Sequence, residues 1–503
     1  MRRNVSNPLP WFLLGAAAFL YLKLFLLPST PVLIGGDQSF FVSNATRMLR
    51  GELIYRDFFQ FTPPGTDLVY LSLFKAFGAR AWVPNLVVIL LGVGLTWVTT
   101  AISKSVLQGP SAFLPGLLFL TLVYNGMPVG THHWFSTLAV MAGVIPVMAH
   151  RTHFRLAAAG ALFGLASFFT QTRGAMALLA LLVFLAWEHS EEKQGSISLP
   201  KGALSLSVSY ALTIAALSSY YVLKVGLNRL VYCQVVYVIK QLPGYAGYFE
   251  GLPAVPPWHN LLKSGVFVAV HAFLPLAYVL FLFRYRRGHG KVAEPWDRLV
   301  LVSLVGFFLF LEVAPGPSCL RLYGVFAPAL IILIWLKSGP SKLSQACRGW
   351  LWATGLAVVV AGSWSAQRRW RAYLDLPSGR TAIPTPAAYE RLHWLLYHTR
   401  PSDYAFEADG PDIYFPLDLR NPTYVYDLYR MTLDSAPSKE AQVVLEPLER
   451  HHVRYILWTA SLDTQDLLNG QSDHLAPMRA SLSAHYHVVK TFADGDQVWE
   501  RKE

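Results

Sequence analysis

Apolar runs of membrane-crossing length, recurring from Trp11 to Trp364, constrain this 503-residue chain more than any other feature. A bilayer core asks for roughly 17 to 25 mostly apolar residues per helical crossing, and backbone polar groups inside it must be satisfied within the segment. Runs at residues 11–27, 83–102, 112–124, 134–149, 156–170, 175–187, 204–223, 265–283, 299–313, 322–336 and 350–364 predict about eleven spans. With 53% hydrophobic and only 14% charged residues, the chain is too apolar for a soluble protein of this length. The first run is not a cleaved leader, because many spans follow it and no small-residue cleavage site closes it.

Lysine and arginine fall in every second connection: Arg2 and Arg3, Lys104, residues 150–155, Lys193 and Lys201, residues 283–291, then residues 337–342. Short basic connections stay on the cytoplasmic side, so the N-terminus is expected there. An odd number of spans then exports residues 34–65, the NGMPVGTHH connection, the QTRG turn, residues 224–263, the APGPSCLR turn and everything after residue 364. The expected location is a plasma or inner membrane, crossed many times.

Charge divides at the same boundary. Residues 1–364 hold 27 basic and 11 acidic side chains, and residues 365–503 hold 15 basic and 19 acidic. The net +12 is therefore +16 in the membrane part and −4 in the tail. This suits positive-inside anchoring and an anionic ligand, and it excludes nucleic-acid binding as the reason for the basic balance. Cys233, Cys319 and Cys347 have neither metal-site nor disulfide-framework spacing and read as packing residues.

From residue 365 the pattern changes. Tyr389, Leu392 and Leu396, then Ala441, Val444, Leu445 and Leu448, keep helical spacing. VRYILW reads as a buried strand, and HVVKTF and QVWER flank an Ala-Asp-Gly-Asp turn like a hairpin. The expectation is a helical polytopic membrane domain over residues 1–364, its first exported loop at residues 28–82, followed by a small α/β extracytoplasmic domain over residues 365–503.

That first loop carries the densest chemistry. Phe40, Phe41, Asn44, Met48 and Leu49 fit a helix on the membrane surface, with Arg47 and Arg50 near the headgroups. Asp37 stands at its start, where it can cap the helix, act as a base, or do both. Asp57 can act or can pair with Arg56 or Arg50. Thr62-Pro63-Pro64-Gly65 stiffens the path before a second surface helix.

Asp37, the A-x-x-M-L-x-G-E-x-x-Y-R-D segment from Ala45 to Asp57, and Pro63-Pro64-Gly65 together resemble the first extracytoplasmic loop of GT-C membrane glycosyltransferases. The narrower likeness is to the protein O-mannosyltransferase and aminoarabinose-transferase type. The resemblance implies a sugar donor carried on a polyprenyl phosphate or pyrophosphate, an acceptor outside the cytoplasm, and Asp37 near the acceptor nucleophile as general base. Gln38 stands where several relatives carry a second acid, and Thr62 where some carry a lysine. A divalent metal is therefore not supported by the residues present, and no other cofactor is implied.

Other candidates follow from residue chemistry. His132 could carry a proton and His133 could bind sugar or phosphate, or the two could be a wet interfacial pair. Arg173 and Arg321 lie at exported span ends, against the positive-inside trend, and could meet a lipid phosphate or snorkel to headgroups. Glu312 is the expected partner of Arg321. Tyr245, Tyr248 and Trp258 could wall a sugar or a polyprenyl chain, or belong to an interfacial belt. The leading expectation is a membrane glycosyltransferase using a polyprenyl-phosphate sugar. A lipid-linked sugar flippase and a non-catalytic scaffold with an exported binding domain are the rivals.

Overall fold

The computed structural model describes residues 7–191, 198–241, 247–249, 261–289, 294–338, 341–426, 428, 437–463 and 475–502. The chain divides into two compact units. One comprises Met1–Lys23, Phe61–Gly65 and Val87–Ala366; the other comprises Leu24–Gln60, Thr66–Leu86 and Gln367–Glu503.

The first unit is helical. Among the described residues, the helices Trp82–Ser103, Gln171–Ser190, Leu199–Val225 and Lys263–Gly288 are long and apolar enough to cross a membrane. Leu9–Leu24, His153–Phe169 and Phe326–Leu336 are apolar but shorter. Several expected spans are interrupted for a local reason. Around Pro115 and Gly116 the run at 112–124 breaks into a 3₁₀ turn, a short α-helix, Leu114–Leu118, and a wider π turn. The helix His132–Val144 gives way to a 3₁₀ turn that contains Pro146. Proline removes a helical donor and its ring clashes with the preceding turn, so regular helix stops there.

Small residues set a close helix contact. Gly160 and Gly164 of His153–Phe169 face Leu199–Val225, and a Cβ on Gly164 would sit 2.8 Å from the Tyr210 carbonyl oxygen. Gly160 meets the Leu206 carbonyl in the same way. Four-residue spacing puts both on one face, where dispersion and packing replace the hydrophobic drive that lipid does not supply.

The second unit is built on a four-stranded sheet in the order Ala405–Glu407, Tyr455–Trp458, Gln497–Arg501, Tyr486–Thr491. The first pair is parallel and the other two are antiparallel. Tyr455 and Leu457 enter a core with Leu392, Leu395, Ile413 and Val498, while Ile456 and Trp458 enter another with Phe406, Val444, Leu448 and Met478. Alternate residues of a strand point to opposite faces, so a strand apolar at every position is covered on both sides. The helix Pro386–His398 supplies Leu392 and Leu395 to one core, and Pro437–Arg450 supplies Val444 and Leu448 to the other.

The first loop groups with this sheet. Leu33 donates its N–H to the Ala382 carbonyl (2.9 Å), and Phe59 donates to Tyr424 (2.7 Å). Leu33 and Phe40 pack against one core, Phe59 against the other. The loop helix Asp37–Leu49 thereby departs from the expected surface orientation, since its arginines face protein rather than headgroups. Arg47 is 5% exposed. It pairs with Glu52 at 2.6 Å, donates to the carbonyls of Thr423 (3.0 Å) and Asp57 (3.3 Å), and lies over the Phe58 ring at 4.7 Å. Arg50 binds the Asp418 carboxylate and the carbonyls of Asp418 and Leu419. A guanidinium has five donors, and the loop and tail offer enough acceptors to draw both inward.

Arg47→Met leaves Glu52 and the Thr423 carbonyl without their charged donor and is expected to cost roughly 3–5 kcal/mol in this unit. Arg450→Ala breaks a largely exposed pair with Glu446 and is expected to cost under about 1 kcal/mol. Thermal melting of the two purified variants checks the contrast; equal losses would refute the clamp.

Candidate functional site

Asp37 begins the loop helix Asp37–Leu49, and the backbone ahead of it explains its freedom. Gly36 is the residue before the helix, with φ +72° and ψ −144°. Only glycine adopts such a conformation without strain. The turn makes Gly36 the N-cap, with no side-chain cap bond, so Asp37 does not cap the helix. It occupies the first helical position and is exposed. Its carboxylate has no hydrogen-bond partner among the described residues. The helix dipole favours a negative charge there.

Asp57 is placed differently. Its carboxylate accepts from the Leu53 N–H (2.7 Å) and from the Arg56 guanidinium (2.9 and 2.7 Å). Bonding to Arg56 holds it below the usual carboxylate range, with the Leu53 N–H adding to the effect. Asp57 lies beside Arg47, about 15 Å along the helix axis from Asp37. The two acids therefore do not form a pair, and Asp57 closes its own turn.

The same loop contains an acid that spacing alone does not single out. Asp67, in the helix Gly65–Phe77, is fully buried. Asn44 Nδ2 donates to its Oδ1 at 2.9 Å, while Oδ2 and the neighbouring Thr66 hydroxyl have no partner among the described residues. Burial pushes its pKa up to about 8. Its one sequence signal is a lone carboxylate directly after Pro-Pro-Gly-Thr on an otherwise apolar helix.

The second unit opens into a cavity of about 410 Å³ whose lining includes chain neighbours of Asp37 but not Asp37 itself. Gly35 and Ser39, two residues to either side of Asp37, both line it. So do Glu407 and Thr459, at or just beyond the carboxyl ends of the parallel strands Ala405–Glu407 and Tyr455–Trp458. Open sheets bind ligands at that edge of their parallel strands.

In the helical unit the histidines and Arg173 form a cluster. The His132 and His133 rings stack with centroids 3.9 Å apart. Arg173, completely buried, pairs with Glu312 at 3.1 Å and donates to the His133 carbonyl (2.8 Å), Ser136 Oγ (3.3 Å) and Thr137 Oγ1 (3.2 Å). Thr172 donates to the other Glu312 oxygen at 3.0 Å. Glu312 is thus the partner of Arg173, where the sequence pattern pointed to Arg321. An arginine so enclosed is committed to holding the helices Gln171–Ser190, His132–Val144 and Trp296–Val313 together.

Arg321 is half-buried, in the short helix Cys319–Gly324 capped by Ser318, and donates to the Gly316 carbonyl at 2.8 Å. It and Arg173 both act electrostatically on the histidine pair. Tyr248 donates to the His271 carbonyl at 2.7 Å, its ring 4.0 Å from the His271 ring. Tyr245 and Trp258 lie outside the described residues. Among the described residues no three His, Cys, Asp or Glu side chains converge as a metal site. Gln38, next to Asp37, is buried and supplies no second carboxylate.

The raised pKa of Asp67 is expected to make the stability of the protein pH-dependent. Between the ordinary carboxylate range and about pH 8, the folded chain keeps a proton that the unfolded chain has released, so stability falls as pH rises across that window. Asp67→Asn removes this contribution. Melting temperatures of the purified protein and the variant from pH 6 to 8 are expected to diverge, the unmutated protein losing more; parallel curves would show an ordinary, ionised Asp67.

No protein-family model matches the chain, and no curated protein matches its sequence. Solved structures do match its fold. ArnT from Cupriavidus metallidurans bound to undecaprenyl phosphate is 12% identical, with a TM-score of 0.62 over 98% of this chain and 98% of the other. The same protein in the apo state gives 13% and 0.58, over 97% of each chain. The Archaeoglobus fulgidus oligosaccharyltransferase, tethered with an acceptor peptide, is 13% identical, with a TM-score of 0.53 over 99% of this chain and 74% of the other. These neighbours are GT-C glycosyltransferases, and this chain has their fold.

Proposed function

We propose that this chain is an integral membrane glycosyltransferase, moving a sugar from a polyprenyl-phosphate donor to an acceptor on the extracytoplasmic face. One observation carries the reading: nearly the whole chain aligns with nearly the whole of ArnT, in a structure that holds undecaprenyl phosphate. The alternating basic connections support the orientation, and the run of apolar segments supports a count near eleven spans.

Asp37 is the general base in this mechanism. It accepts the proton of the acceptor hydroxyl or amine while that group attacks the anomeric carbon. The bond from that carbon to the lipid phosphate breaks as the new glycosidic bond forms, with inversion if the step is single. An exposed carboxylate with no hydrogen-bond partner among the described residues suits the task, because it can take a proton without first giving up a structural bond. Asp57, tied to Arg56 and the Leu53 N–H, supports the loop instead.

Charge growing on the leaving phosphate needs a cation or N–H donors. Arg321 is the better candidate because it is half-buried and accessible, whereas Arg173 is completely enclosed and held by Glu312, a carbonyl and two hydroxyls. Arg173 and Glu312 are then positioning residues that hold the end of the histidine helix. His132 and His133 serve as hydrogen-bonding partners of sugar or phosphate, and Tyr248, with Tyr245 and Trp258, walls the donor.

With a synthetic polyprenyl-phosphate sugar as donor, Asp37→Asn is expected to lower kcat by about 10²- to 10⁴-fold with little change in melting temperature. Asp57→Asn is expected to keep most of the rate. Full activity in Asp37→Asn would remove it as the base. Arg321→Ala is expected to raise the donor KM at unchanged melting temperature, whereas Arg173→Ala is expected to unfold the helical unit at a lower temperature; unchanged KM in Arg321→Ala would remove it from the donor site.

A further inference from the structure

The cavity lined by Gly35 and Ser39 has walls that select its occupant. Its volume, about 410 Å³, lies in the ~300–1,000 Å³ range of small-ligand sites and gives room for about one or two sugar rings. Leu33, Val42 and Phe415 give it apolar wall, against which the C–H face of a sugar can rest.

Its polar groups are mostly acceptors. Asn85 is 1% exposed, and its Nδ2 is committed to the carbonyls of Leu24 (2.7 Å) and Val32 (3.0 Å). Both amide hydrogens are thereby used, so the fixed Oδ1 can only accept, and it has no partner among the described residues. Ser39, 8% exposed, also lines the cavity, and its hydroxyl has no partner among the described residues. Both oxygens keep accessible surface, so a ligand that supplies donors can reach them.

The charges point the same way. Glu407 is buried in the lining, while Asp409 and Asp412 are exposed. Burial, reinforced by Asp412, raises Glu407 well above the usual carboxylate range, which favours a protonated Glu407 able to donate as well as accept. Among the described residues the cation of the lining is Arg391, which is already paired with Asp494 and Asp496. The remaining field is negative and opposes phosphates and carboxylates.

We infer that this cavity binds the acceptor, and that the acceptor end held there is a hydroxyl-rich, amine-bearing sugar without phosphate. Its hydroxyl and ammonium donors meet Asn85 Oδ1, Ser39 Oγ and the carboxylate of Asp412, and the group to be glycosylated is held next to Asp37. This rests on the reading of Asp37 as the acceptor-side base. The cavity itself belongs wholly to the unit of the first loop and the tail.

The test is binding without donor. Glucosamine, with glucose 6-phosphate as the counter-probe, is titrated by saturation-transfer NMR against the full chain in lipid nanodiscs. Glucosamine is expected to bind saturably, and glucose 6-phosphate about tenfold more weakly or not at all. Ala388→Trp, which fills the cavity from the partly exposed helix Pro386–His398, is expected to weaken glucosamine at least about tenfold. Asp412→Asn, a near-isosteric change at an exposed position, is expected to weaken it as well at unchanged melting temperature. Unchanged affinity in a folded Ala388→Trp variant overturns the site, and equal binding of the phosphate sugar overturns the ligand class. Because no transfer is measured, either failure is separate from the Asp37→Asn result, which tests the base alone.

Discussion

A buried guanidinium holds the exported loop in place. Arg47 is almost fully enclosed and gives its donors to one carboxylate and two carbonyls, with an aromatic ring against its face. A charge taken out of water in this way is tolerable only if nearly every donor is satisfied. The loop helix therefore has one acceptable orientation against the tail, and Asp37 at its far end inherits that orientation. Phe40 and Leu33 add apolar contact on the same side. What would otherwise be a hydrated connection becomes a rigid arm, and rigidity of this kind is what a positioned carboxylate requires.

The helical unit solves a similar problem with a different partner set. Arg173 and Glu312 neutralise each other where water is scarce, and a collar of serine and threonine hydroxyls takes up the remaining donors. The cost of burying either charge alone makes them a structural couple. Arg321 is half-buried where Arg173 is completely enclosed, so its guanidinium stays within reach of a ligand. The same contrast separates the two loop acids. Asp57 is consumed by its own turn, and Asp37 is left open. In each pair the more accessible residue is the better functional candidate, and sequence spacing cannot show which member that is.

Much of the tail was legible because its signals are local. The continuous apolar run around Tyr455 and the period-3.6 patterns around Ala441 and Leu392 correspond to the strand and two helices found there, and the Ala-Asp-Gly-Asp turn joins a hairpin. The helical character of the first unit was equally plain from its apolar runs. The exact helix lengths were not, since Pro115, Gly116 and Pro146 interrupt runs that look continuous by hydropathy. Arg47 misled for a physical reason: an amphipathic stretch with two arginines looks the same whether its polar face meets headgroups or a protein surface rich in carbonyls. Glu312 misled likewise, because Arg173 and Arg321 lie at similar depth and only packing decides between them.

The sequence by itself determined the solvent, the mainly helical framework, the α/β tail and the loop that resembles a glycosyl-transfer site, because each rests on composition, periodicity or a contiguous motif. Only the tertiary structure decided that the loop groups with the tail, that Asp67 is buried, and that Asn85 and Ser39 share a cavity with Glu407. Those facts join residues that are distant along the chain, from tens to hundreds of positions apart. They depend on where buried polar groups find partners in space, and that is settled by packing rather than by order along the chain.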